Sequence, residues 1–178
     1  MDNKQELRVW AKGLNRGVNG GVNGGVNTDG LNSILVEKLR NISIYKQSKH
    51  IMLFYPLENE VNLLELLQDK NKQFYLPKID GENLLCCPYK MGDETCFSCF
   101  KTVEPISKPE NKSILDLVIV PALCVDKNNY RLGYGGGFYD RFLKNCTAKT
   151  VVCISKQLII DTINPEEFDI PVDLVITG

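Results

Sequence analysis

The sequence predicts an α/β protein of one domain, a mostly parallel sheet flanked by helices. Three observations carry that expectation. Ile114-Leu115-Asp116-Leu117-Val118-Ile119-Val120-Pro121 is a near-continuous apolar run, the pattern of a strand covered on both faces, as in parallel sheets. Strand-like and helix-like stretches alternate between His50 and Pro77, and the apolar stretches Lys149 to Ser155 and Asp173 to Thr177 supply two further strands near the end. A length of 178 residues is enough for one domain with a substantial core and short for two.

Taken in order, the first element is a helix with Leu7, Trp10, Ala11 and Leu14 on one face and Lys4, Arg8 and Lys12 on another. Three like charges in line are mildly unfavourable, by a few tenths of a kcal/mol per pair, so an anionic partner would relieve them; a solvated basic face is the plainer alternative. Gly17-Val18-Asn19-Gly20, Gly21-Val22-Asn23-Gly24 and Gly25-Val26-Asn27-Thr28 form a tandem repeat with little to bury. It reads as a flexible surface loop over 17–30. A helix is expected from Leu31 to Ser48, with Leu31, Ile34, Leu35, Leu39 and Ile42 at helical spacing. Then follow a strand from His50 to Tyr55, a helix from Val61 to Lys70, a strand from Gln73 to Pro77 and a short one from Leu84 to Cys87. Met91 to Asn111 reads as loop with edge strands, and Asp126 to Tyr130 as a turn. The layering expected is Rossmann-like, with sites at the strand C-termini.

The segment that points to chemistry is Arg131-Leu132-Gly133-Tyr134-Gly135-Gly136-Gly137-Phe138-Tyr139-Asp140-Arg141. Glycines without a Cβ let consecutive N–H groups converge on one anion, while the arginines add fixed charge. The pattern turns helix-like at Phe138, Tyr139, Phe142 and Leu143, so the loop is expected to feed a helix start that also favours phosphate. A carboxylate at Asp140 could share a magnesium ion with that phosphate. No Gly-Lys-Ser/Thr closes the loop, so it is not a P-loop, and the glycines do not directly follow the strand, so no dinucleotide fingerprint fits. A simple flexible turn is the bland alternative.

Composition narrows the partners. A net charge of −1 gives no general attraction to nucleic acid or anionic membrane, and no stretch approaches 18 consecutive apolar residues. The polar start Met1-Asp2-Asn3-Lys4 lacks a signal-peptide core, so the cytoplasm is the expected compartment; separately, a monomer is expected. Seven cysteines, an odd number, argue for reduced thiols over a disulfide framework. Cys96-Phe97-Ser98-Cys99 with Cys86-Cys87 offers a zinc-module alternative, weakened by the adjacency of the second pair. Cys124, Cys146 and Cys153 read as core residues, and His50, the single histidine, as structural.

Asp116 to Arg141, DLVIVPALCVDKNNYRLGYGGGFYDR, resembles the signature of the 5-formyltetrahydrofolate cyclo-ligases, also called methenyltetrahydrofolate synthetases. Lys4-Gln5-Glu6-Leu7-Arg8 is similar to that family's N-terminal K-x-x-L-R, Tyr55-Pro56 with Glu60-Val61 to its substrate segment, and Val103-Glu104-Pro105 to its central Glu-Pro pair. Asp169 to Thr177 resembles its closing D-x-x-x-D-x-V-x-T strand.

The resemblance implies ATP- and magnesium-dependent closure of 5-formyltetrahydrofolate to 5,10-methenyltetrahydrofolate. It implies nucleotide contacts at Lys4, Gln5, Glu6, Leu7 and Arg8 and at Arg131, Leu132, Gly133, Tyr134, Gly135, Gly136, Gly137, Phe138 and Tyr139. Folate contacts are implied at Arg8, Tyr55, Glu60, Tyr134, Gly135, Gly136, Gly137 and Phe138, magnesium ligands at Asp140 and Asp173, and catalytic roles at Arg131, Tyr134 and Asp140. The sequence departs from the family's pattern in the repeat, where a charged, helix-compatible turn is usual, at Ala122, where glycine is more frequent, and at Phe138, where tyrosine is common. A folate- or nucleotide-binding paralogue without turnover is the alternative that the repeat beside the basic helix suggests.

Overall fold

The computed structural model describes residues 3–18, 28–57, 60–100 and 102–178. Six strands form the main sheet: β1 (His50–Met52), β2 (Gln73–Asp80), β3 (Asn83–Pro88), β6 (Leu117–Ile119), β9 (Lys149–Ile154) and β11 (Leu174–Thr177), in the order β11-β9-β6-β1-β2-β3. All neighbours are parallel except β3, which folds back on β2 through a turn at Gly81. The α/β class with its mainly parallel sheet is as the sequence predicts.

Successive strand residues point to opposite faces, and the core divides accordingly. Met52, Val118 and Val152 join Leu7 and Ala11 of α1 (Lys4–Val18) and Phe142 and Leu143 of α4 (Phe138–Leu143) in one apolar cluster. Ile51, Leu117, Ile119, Val151 and Cys153 join Leu35 and Leu39 of α2 (Thr28–Asn41) and Tyr45 of α3 (Ser43–Gln47) in the other. The molecule is thus three layers deep, helix on sheet on helix.

Local departures from expectation have physical causes. The helix predicted from Leu31 to Ser48 breaks at Ile42, which is extended (φ −75°, ψ 147°), so that α3 can turn Tyr45 into the core, where its hydroxyl donates to Asp69 at 2.6 Å. The helix predicted from Val61 to Lys70 is a short 3-10 turn, Leu64–Gln68; spacing of three stacks Leu63 and Leu66 inward, and both are buried. The strand from His50 stops pairing as a ladder at Met52, although the Leu53 amide still donates to Tyr75.

The repeat is described only at its ends: Gly17 and Val18 belong to α1 and Thr28 opens α2, while 19–27 lie outside the described residues, and with them the expected loop. Edge strands occur within Met91 to Asn111 as the hairpin β4 (Thr95–Phe97) and β5 (Val103–Pro105).

One unit was not legible in the apolar pattern. β7 (Cys124–Asp126) and β8 (Arg131–Leu132) form a hairpin, and β10 (Ile159–Ile160) adds to it in parallel. The buried Asp126 holds its turn, accepting from the amides of Asn128 and Tyr130 with one oxygen and from Ile163 with the other. Asn129, at φ 65°, supplies the left-handed residue. The hairpin delivers Arg131 and the glycine loop over the C-terminal ends of the parallel strands.

Candidate active site

Arg131 is buried on β8, and its Nη2 donates to Asp140 Oδ1 at 3.1 Å. Its Nε is buried without a hydrogen-bond partner. Downstream, the loop takes two left-handed turns, Gly135 at φ 103° and Gly137 at φ 64°, the second ending the loop at the start of α4. Side chains resist both conformations, and a Cβ on Gly135 would also lie 3.3 Å from Cζ of Arg8. Arg8 Nε in turn donates to the Gly133 carbonyl at 3.0 Å, so the basic helix and the glycine loop, 125 residues apart, meet at one point.

Arg141, at the far end of the glycine segment, is committed to the loop itself. It donates to the carbonyls of Gly136 and Glu82, both at 2.8 Å, and its guanidinium lies over the Phe138 ring. Of the two segment arginines, Arg131 therefore carries the site's charge.

Lys4 is held by two carboxylates, Glu166 and Asp169, each at 2.6 Å, and lies over the Phe168 ring. Burial alone would lower its amine, but the bonds to Asp169 and Glu166 outweigh that and raise it. Sequence reasoning gave neither acid as a partner of Lys4; the only signal was their clustering in the polar stretch before Ile170. Within the same helix Gln5 accepts from Arg8 at 3.5 Å, Glu6 is exposed, and Leu7 is buried in the core. Leu7 thus serves the core, and its amide donates to the Asn3 carbonyl at 3.2 Å.

A small cleft opens beside the loop at the strand C-termini, lined by Asn15, Phe54, Glu60, Val61, Ala122, Cys153 and Ile154. Glu60 accepts from the Leu57 amide at 2.9 Å, yet burial dominates and pushes its carboxyl up to about 7. The phenols of Tyr134 and Tyr139 are both raised, first by burial and next by the charge of Glu60. Tyr134 remains partly exposed with the Lys12 ammonium over its ring, and Tyr55 lies half-buried just before this segment. Asn15 is a site residue that sequence reasoning missed. Buried on the Leu7, Ala11, Asn15 ridge of α1, it donates to the Leu123 carbonyl at 3.2 Å. A polar residue inside an apolar helical stripe was the available signal.

The two expected magnesium ligands are not brought together. Asp140 Oδ1 accepts from Arg131 and from the Ile170 amide, beside the loop. Asp173 precedes β11, at the strand N-termini, where it accepts from the Thr150 amide and hydroxyl at 2.8 Å and from Lys149 at 3.1 Å. Four residues at about 3.3 Å each put Thr150 roughly 13 Å along β9 from Ile154, which lines the cleft. Asp173 ties two strands together instead.

For the zinc alternative, Cys86 and Cys87 are buried on β3, whereas Cys96 and Cys99 are exposed at the β4–β5 hairpin. Among the described residues no three His, Cys, Asp or Glu side chains gather as a metal cluster. No helix among them is long and apolar enough to cross a membrane.

Comparison with known proteins identifies the family and the fold. The family model of the 5-formyltetrahydrofolate cyclo-ligase family matches residues 26–178. A 5-formyltetrahydrofolate cyclo-ligase of Escherichia coli strain K12 is 31% identical over 139 residues, 71% of this chain and 76% of that protein. One of Haemophilus influenzae is 28% identical over 150 residues, 78% and 80% of the two proteins. The solution structure of Aquifex aeolicus 5,10-methenyltetrahydrofolate synthetase superposes with a TM-score of 0.81 at 27% identity, covering 98% of this chain and 89% of that one. With its sheet, glycine loop and matched sequence in agreement, this chain belongs to the 5-formyltetrahydrofolate cyclo-ligase family and is an enzyme.

Proposed function

We propose that the enzyme closes 5-formyltetrahydrofolate to 5,10-methenyltetrahydrofolate at the expense of ATP, releasing ADP and phosphate. The observation that carries this reading is the meeting of Arg8 with the glycine loop at Gly133, beside the buried Arg131, whose Nε has no protein partner. Two fixed guanidinium groups and a loop of bare backbone amides suit a triphosphate, and a buried donor without an acceptor is costly unless a ligand supplies one.

A formamide oxygen is a poor leaving group. Moving the γ-phosphoryl group of ATP onto it makes phosphate the leaving group, and the folate N10 can then attack the activated carbon and expel phosphate. Such transfer needs positioning and charge neutralisation more than a protein nucleophile. Arg131 and Arg8 would supply the fixed charge, and Lys4 would join them by exchanging Glu166 or Asp169 for a phosphate oxygen. Glu60, in the adjoining cleft, would accept amino protons of the pterin, with Tyr55 and Tyr134 as ring-sized apolar neighbours.

Magnesium fits through Asp140. Its Oδ1 is taken by Arg131 and Ile170, which leaves Oδ2 to offer, and magnesium is commonly held by one carboxylate with phosphate oxygens and water. When bound there it would neutralise phosphate charge.

The test is the near-ultraviolet absorbance of methenyltetrahydrofolate after mixing protein with 5-formyltetrahydrofolate, with and without ATP and magnesium. Product that requires both is expected. Folate or nucleotide binding without product would instead assign the protein to a binding role.

A further inference from the structure

Cys96-Phe97-Ser98-Cys99, a Cys-x-x-Cys at the tip of the β4–β5 hairpin, has no part in the site described above. Both of its thiols are exposed, whereas Cys86, Cys87, Cys124 and Cys153 are buried and Cys146 is partly covered. Burial also raises the thiols of Cys86, Cys124 and Cys153 to about 12, so the thiolate that carries sulfur chemistry is withheld there. Thiol exchange on this chain therefore falls to the hairpin pair.

The hairpin tip reaches the glycine loop. Ser98 closes it: its amide donates to the Thr102 carbonyl at 2.9 Å, and its Oγ accepts from the amides of Phe100 and Thr102 at 3.1 and 3.2 Å. That closure sets the Phe100 ring, itself 58% exposed, edge-on against Phe138 at 5.6 Å and 74°. Phe138 is the first residue of α4, and its ring fills the space over Gly136, where a Cβ would lie 2.8 Å from two ring carbons. Phe100 thus braces the end of the loop from outside.

A disulfide needs Cα atoms within about 7 Å, while three steps of extended chain span about 10 Å. Cys96 lies on the strand, so joining it to Cys99 draws the chain together at Ser98. We propose that Cys96 and Cys99 are a thiol–disulfide exchange site, and that closing the pair breaks the Ser98 closure, lifts Phe100 off Phe138 and loosens the start of α4. The co-reactant is a low-molecular-weight disulfide such as glutathione disulfide. One protein thiolate attacks a sulfur of that disulfide and expels one glutathione thiolate; the second protein thiolate attacks the mixed disulfide and expels the other. Two protein thiols are oxidised, one disulfide is reduced to two thiols, and the two protons pass to the released glutathione. The consequence for turnover rests on the proposed function; the chemistry of the pair and its effect on α4 do not.

Protein treated with glutathione disulfide is compared with its dithiothreitol-reduced form by peptide mass mapping and by amide hydrogen exchange across residues 133–144. The expected result is a Cys96–Cys99 disulfide that dithiothreitol reverses, with exchange at the Arg141 amide, which bonds to the Gly137 carbonyl at 3.0 Å, faster by roughly two- to tenfold, the size of one lost aromatic pair. In the absorbance assay kcat/KM of the oxidised wild type should fall by a similar factor, and a Cys96→Ser/Cys99→Ser variant should behave as the reduced protein under both treatments. A mixed disulfide that goes no further, a bridge to another cysteine, or a Cys96–Cys99 disulfide that leaves exchange or kcat/KM unchanged overturns the inference. Reduced wild type that yields no methenyltetrahydrofolate overturns the proposed function instead, while mass and exchange still decide the pair.

Discussion

The two ends of the parallel sheet carry polar groups in opposite conditions. At the strand N-termini, Asp116 accepts from the amides of Lys49 and His50 at 2.8 Å, Asp173 binds Thr150 and Lys149, and the Tyr75 hydroxyl lies between His50 and Glu110. At the C-termini, the two buried side-chain polar atoms without partners among the described residues, Arg131 Nε and Tyr139 Oη, stand beside the glycine loop. One end is complete in itself, and the other keeps two buried donors without a protein partner. Carboxylates that look alike in sequence therefore do different work, Asp173 as a strand tie and Asp140 as an anchor for Arg131.

Substitutions at the two ends should separate activity from stability. The largest effect is expected for Arg131→Ala, a loss of about 10³-fold in kcat/KM, in line with removal of a phosphate-neutralising arginine, read in the absorbance assay. Arg8→Ala should cost roughly 10- to 100-fold in kcat/KM with little change in Tm, since its bonds are to the exposed Gln5 and one loop carbonyl. At the other end, Asp173→Ala should lower unfolding free energy by about 1–3 kcal/mol in urea titrations while leaving kcat/KM within about threefold, because the Thr150 amide loses its acceptor. A magnesium role for Asp173 would reverse that pattern.

The smallest effect is one of pH, and its sign differs between the ends. Burial would raise the Asp116 carboxyl, but the His50 and Lys49 amides outweigh it and hold it below the usual carboxylate range; Asp173 is likewise held low, against burial, by Thr150 and Lys149. Their stabilisation is complete above the ordinary carboxylate value and is lost as pH falls through the lowered one. Glu60 runs the other way. Raised from 4.5 to about 7, it leaves the fold most stable below its ordinary value and erodes stability as pH rises towards 7. Glu60→Gln should flatten the stability slope between those values, measured by urea midpoints, and Asp116→Asn should flatten the acid limb alone.

How much of this was readable follows from the physics of each signal. The apolar run Leu117 to Val120 declared a doubly covered strand because both faces are buried, and the helical stripe of α1 was plain because its other side meets water. The β7–β8 hairpin was hidden inside a stretch too short to show a period, and the 3-10 turn at Leu64 carries the same leucines that a helix would. At the site, the glycine loop and Arg8 were legible as residue types with a chemical purpose. The partners of Lys4 and the separation of Asp140 from Asp173 were not, since they depend on which end of the sheet each strand presents. Asn15 could be found only as an exception within its stripe.

Parallel assays of wild type, Arg131→Ala and Asp173→Ala for ATP-dependent formation of methenyltetrahydrofolate, each first shown to be folded by circular dichroism, test the central claim most directly. Product is predicted from wild type and from Asp173→Ala, and none measurable above background from Arg131→Ala. A folded Asp173→Ala protein without activity, or a wild type that yields no product under saturating ATP and magnesium, would contradict it.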